Sequence, residues 1–148
     1  MNLNEELEMK GKLSIVVTGQ DGIIKQELVV PNLVVTVGKK YIAARMSSTG
    51  ATLMSHMAIG SGTVDPVVGN EILGTELGRV ALTSIVAVDT TTVTAIATFP
   101  AGTGTGAITE AGIFNDVTAG TMLCRTKFAV VNKEAGDSIA ITWAITVS

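Results

Sequence analysis

The final stretch of the chain, "SIAITWAITVS", alternates without a break. Ile139, Ile141, Trp143, Ile145 and Val147 fall on one side, and Ser138, Ala140, Thr142, Ala144 and Thr146 on the other. A period of two over ten residues predicts a strand with one face in a core. The same period places Val93, Ala95, Ala97 and Phe99 on one face of "DTTTVTAIATFP". Near the other end, "LSIVVTG" and "IIKQELVV" flank "QDG", and the Asp21-Gly22 pair predicts a hairpin turn with positive φ at the glycine. Pro31 closes the second of these strands. One segment departs from the pattern: 37–46 carries Val37, Tyr41 and Ala44 at helical spacing, with Thr36 placed to cap it.

The remaining apolar runs extend the β pattern. "LMSHMAIGSG" reads as a strand ending in glycines, and "TVDPVVGN" as a loop. "EILGTELGRVALTSIVAV" begins as a turn or short helix and becomes a strand near Arg79. "AITEAGIFN" and "TMLCRTKFAVV" complete about eight strands, with "SSTGAT" and the glycine ladder 102–106 as loops. Turn signals every ten residues or so and a single helix predict an all-β chain, an antiparallel, jelly-roll-like β-sandwich over residues 13–148. Residues 1–12, acidic and mostly polar, form an N-terminal arm. Its Leu3, Leu7 and Met9 are candidates for contact with a partner.

Composition sharpens this picture. Of 148 residues, 47% are hydrophobic and only 16% charged, against roughly 25% charged in average chains. About twenty threonines suit strands. So little charge leaves a neutral Thr/Ala/Val surface, which predicts burial against other copies in a homo-oligomer. The net charge of −3 comes with scattered basic residues, so no nucleic-acid footprint is expected. No apolar run is long enough to span a membrane, and the acidic start does not resemble a signal peptide. The single cysteine, Cys124, allows no internal disulfide and reads as a buried residue.

No catalytic, metal or cofactor site is expected. Neither "GSGT" nor "GTGTG" runs into a helix or a GK[ST] sequence, as a phosphate loop requires. The lone His56 has no companion ligands. Trp143 shares its phase with four aliphatics, which makes it a core residue. Glu71, Glu76, Asp65, Asp116 and Asp137 show no spacing that pairs them with Glu110 for acid–base work. Glu110 itself lies in an otherwise uncharged strand and needs a cation, for which Arg79 is the candidate.

Taken in order, "NLVVTVGKKYIAARM", "MAIGSGT", "LGTELGR", "ITEAGIFN", "GTMLCRTKF" and "GDSIAITWAITVS" resemble a family of tailed-bacteriophage virion proteins. The resemblance covers about residues 12–148. It implies that Glu76, Arg79 and Glu110 define the fold rather than a reaction. It also implies a non-enzymatic virion component, assembled in the host cytoplasm. Within that family the chain is expected to be a capsid decoration (cement) protein, a homotrimer on the major capsid protein. A tail, collar or head–tail adaptor part and a carbohydrate- or host-recognition module are the alternatives. No fibre shaft or receptor domain is expected after the last strand.

Overall fold

Ten strands and one helix occupy the residues described in the computed structural model, which are 3, 5–47, 51–87 and 90–148. In chain order they are β1 (Met9–Thr18), β2 (Ile24–Pro31), β3 (Leu33–Val34), α1 (Thr36–Ser47), β4 (His56–Gly60) and β5 (Glu76–Ala81). Then follow β6 (Ser84–Val86), β7 (Thr92–Phe99), β8 (Gly106–Phe114), β9 (Met122–Lys133) and β10 (Ser138–Val147). They make two five-stranded antiparallel sheets, β2-β1-β10-β7-β6 and β3-β9-β8-β4-β5. The chain is thus an all-β sandwich with one short helix. The expected loop at 47–52 and the expected strand start at 89 lie partly outside the described residues, as do parts of the arm.

The alternation of β10 is realised at its neighbours. Trp143 faces Leu13 of β1 on one side and Ala95 of β7 on the other, and Ile141 lies between Ile15 and Ala97. A large ring beside a small alanine lets the layer interdigitate without a void. Leu13, Ile15, Val17, Ile139, Ile141, Trp143, Ala97 and Phe99 are all buried. Across the core they meet Met57, Ile59, Ile108, Ile113, Cys124, Phe128 and Val131 of the second sheet.

The first strand starts earlier than the sequence suggests. Met9 to Lys12 pair with Val147 to Ala144, so the arm outside the sheet ends at Glu8. Glu8 closes that end by exchanging backbone hydrogen bonds with Ser148 in both directions, at 2.7 and 2.8 Å. "MKGK" hides its strand character because Gly11 has no side chain. The Asn32 amide stands where its Cβ would be. β5 likewise begins at Glu76 rather than Arg79, and β3 and β6 add two very short strands to the expected eight.

The helix runs one residue beyond the expected span at each end. Lys39 N–H donates to the Val35 carbonyl, so the cap position is Val35 and Thr36 is the first helical residue. Tyr41 and Ile42 pack on the main core, and Val37 on a smaller cluster of Val35, Ala58, Leu73, Phe114 and Met122. Gly38 decides how close the helix comes. A Cβ there would lie 2.1 Å from the Leu123 carbonyl oxygen of β9. Helical glycine is ordinarily worse than alanine by about 0.5–1 kcal/mol. Here the sign reverses: Gly38→Ala should destabilise by about 1–3 kcal/mol, because backbone would have to move. Urea unfolding of the variant checks this, and a stabilised protein would contradict the close approach.

Candidate interaction surface

Alternation along β8 sends Ala111 and Ile113 into the main core, while Phe114 belongs to the smaller cluster on the outer side of the sheet. Glu110 shares that outer face. In register it lies between Gly60 of β4 and Lys127 of β9, and it is fully buried. What buries it is the loop 61–75, which doubles back over the sheet between β4 and β5.

The carboxylate collects five donors. Oε1 accepts from the backbone N–H groups of Gly62 at 2.8 Å and Thr75 at 2.7 Å. Oε2 accepts from Gly74 N–H at 2.9 Å and from Arg125 Nε and Nη2 at 3.1 and 2.8 Å. The glycines of "GSGT" exist for this approach. A Cβ on Gly60 or Gly62 would stand 2.6 or 2.4 Å from Oε1. Burial alone would push the Glu110 carboxyl up. The Thr75 and Gly74 amides, the Arg125 guanidinium and the Gly62 amide together outweigh burial and hold it below the ordinary carboxylate range. With both oxygens so occupied, the group is an anchor for backbone.

Arg125 extends the anchor. Also buried, it donates to Asn70 Oδ1 at 3.0 Å and to the Val64 carbonyl at 2.9 Å. Glu110 therefore holds the two ends of the loop and Arg125 its middle. Thr109 Oγ1 adds a bond to the Gly62 carbonyl at 2.7 Å, and Leu73 packs down over Gly112.

The expected Glu110–Arg79 pair does not form. Arg79 lies in β5, two strands from β8, level with Ala58 and Gly112 rather than with Glu110. It pairs instead with Glu76, Nη2 to Oε1 at 2.7 Å, and its guanidinium sits 3.9 Å from the centre of the Phe114 ring. Nη1 donates to the carbonyls of Asp116 and Ala119 at 3.0 and 2.9 Å. That grip holds the β8–β9 turn, where Ala119 has φ of 52°. Arg125, which sequence reasoning missed, carries a weaker form of the same signal. Glu110 is the one charge of β8, and Arg125 lies across the turn in β9 with apolar Met122, Leu123 and Cys124 before it and Lys127 two residues after it.

The other singled-out residues scatter. Cys124 is buried in the core, and burial pushes its thiol well up. His56 bonds Ser55 Oγ through Nδ1 at 2.7 Å. Trp143 is fully buried. Asp65 pairs with Lys127 and Asp137 with Lys25, at 2.7 and 2.9 Å. No group of three or more His, Cys, Asp or Glu that could hold a metal occurs among the described residues. Of the arm residues, Met9 enters β1 and packs against the core, while Leu3 and Leu7 stay exposed.

The anchored loop presents four aliphatic side chains outward, beside the exposed Asp65 and Glu71. Val64, Val67, Val68 and Ile72 are exposed, with Val117 on the turn that Arg79 holds. Aliphatic side chains on a fixed backbone lose little freedom when a partner covers them, which favours docking. No family model, no curated protein and no solved structure matches the chain.

Arg125→Met strands a buried carboxylate and should cost about 3–5 kcal/mol. Arg79→Met should cost about 1–2 kcal/mol, for a partly exposed cation stacked on one ring. Thermal unfolding of the two variants tests the order, and the reverse order would move the anchor to Arg79. The acid limb gives an independent check. With its folded pKa lowered, Glu110 contributes stability that is present above its ordinary value of 4.5 and is lost as pH falls through the folded value. Glu110→Gln should be less stable than the parent at neutral pH and lose less on acidification to about pH 3. Parallel acid curves for parent and variant would contradict this role.

Proposed function

We propose that this chain is a structural protein of a tailed-bacteriophage particle, a capsid decoration (cement) protein that binds the major capsid shell as a homo-oligomer. One observation carries most of the weight. The motifs behind the resemblance lie far apart in sequence, yet Gly60, Gly62, Gly74, Glu110 and Arg125 converge on a single buried network. What that network holds in place is a loop that exposes Val64, Val67, Val68 and Ile72. Such an arrangement suits a repeated contact that must form identically at every copy. The low charge of the chain supports the same view, since a surface of this composition is at rest when covered.

A tail, collar or head–tail adaptor part would use the same surface at lower copy number, set by the symmetry of its ring. The recognition of sugars is less well supported. Trp143, the one indole, lies in the core and offers no stacking face.

Mass spectrometry of purified particles, with the major capsid protein as internal standard, separates these readings. A copy number on the order of hundreds is the expected result, and about a dozen or fewer would replace the shell with the tail. In a shell-binding assay, Val67→Asp with Ile72→Asp should weaken attachment about tenfold or more while leaving the unfolding temperature near the parent's. Undiminished binding would remove the loop from the interface.

A further inference from the structure

Where β1 begins and β10 ends, the sheets part and α1 lies across the gap. They leave a cavity of about 410 Å³ whose walls include Met9, Tyr41, Ile42, Met54, Ile85 and Leu123. Every lining residue is aliphatic or aromatic. Leu7 stands at its rim and separates it from a second groove of about 470 Å³, which runs along α1 past Leu33, Val34, Ala43 and Met46. The chain does not fill these hollows with its own arm: Leu7 is 74% exposed and Leu3 86%. The paired backbone bonds between Glu8 and Ser148 fix where the arm leaves the sheet, so Leu7 reaches no further than the rim.

Charge indicates what fits there. The arm carries Glu5 and Glu6 between its two leucines, which are four residues apart, while Glu8 pairs with Lys10 of its own chain. The helix beside the cavity carries no acidic residue, and its Lys39 lines the second groove; Lys40 faces another hollow beyond Tyr41, and Arg45 donates to the Ala51 carbonyl. An acidic segment with two leucines and an apolar hollow under a basic helix complement each other in shape and sign. Both halves of the match are on this one chain.

We propose that the cavity beside α1 is filled by Leu3 and Leu7 of the N-terminal segment of a second copy of this chain, with Glu5 and Glu6 lying beside Lys39 of the helix. Each copy gives its arm to a neighbour, reciprocally in a dimer or around a ring in a trimer, so that every donor is also an acceptor. The proposal rests on the chain being an assembling subunit and adds which surfaces join its copies. The aliphatic loop 61–75 lies on a different part of the fold and stays free for another partner.

The test uses two full-length single variants, Leu3→Cys and Leu53→Cys, since Leu53 lines the cavity and is exposed. The native Cys124 is buried and unreactive under mild oxidation. Mixed in equal amounts, the variants should give a disulfide-linked pair far more abundant than either gives alone. Leu3→Asp with Leu7→Asp should raise the dissociation constant of the parent oligomer about tenfold or more by light scattering, and added salt should weaken the parent in the same direction. A disulfide absent from the mixture but formed within a third, double variant carrying both Leu3→Cys and Leu53→Cys would overturn the exchange and assign the cavity to the chain's own arm. An oligomer undiminished by the two aspartates would overturn it too, while leaving the copy number in particles to decide the virion reading separately. A parent that is monomeric at all concentrations would do the same.

Discussion

A carboxylate with no access to water must find its hydrogen bonds inside the protein, and Glu110 finds them at the two ends of the loop 61–75 and on Arg125. The N–H groups of Gly62, Gly74 and Thr75 lie where the chain leaves and rejoins the sheet. Buried without partners they would each cost about 1–3 kcal/mol. A neutral side chain could satisfy one or two of them. A carboxylate gathers all three and still has room for Arg125, whose charge offsets its own. Leu73 over Gly112, the outer cluster around Phe114, and the outward set of Val64, Val67, Val68 and Ile72 all follow from that anchor. A buried ion pair is a poor source of net stability, but it discriminates strongly among arrangements. Only one path of the loop places all its donors on the two oxygens.

The two arginines divide the outer face of this sheet between them. Arg125 is sealed and holds the long loop; Arg79 is partly open and holds the β8–β9 turn through two carbonyls. The opposite sheet has no comparable cover among the described residues. Ala140 and Thr142 of β10 face solvent there, next to strands of similar character. One face of the sandwich is thus built up with anchored loops, and the other exposes the small residues of β10 together with Lys10, Lys12 and Glu27 of β1 and β2.

How much of this was written in the sequence depends on the range of each interaction. β10 was legible because its partners on both sides are apolar and its period has no interruption. The first turn was legible because Asp21 Oδ1 accepts from Ile23 N–H and Gly22 takes φ of 81°, both local effects. The start of β1 was not, since Gly11 looks like a break until the Asn32 side chain is seen in its place. Glu110 announced its need for a cation, but the choice between Arg79 and Arg125 turns on strand order. Strand order is a property of the whole sheet, and no window of sequence contains it. The glycines near Glu110 looked like ordinary turn residues for the same reason: what they make room for lies some fifty positions further on.

The pairing of Met9 with Val147 has a mechanical side. The two ends of the described fold leave from neighbouring inner strands at the same end of the sandwich. A pull between them would part β1 from β10 one hydrogen-bonded pair at a time, as tape is peeled. Force entering through the loop 61–75 would meet the five bonds of Glu110 together and pass into the middle of a sheet. Under load, this molecule would be strong where it is gripped by the loop and weak where it is tugged by its ends.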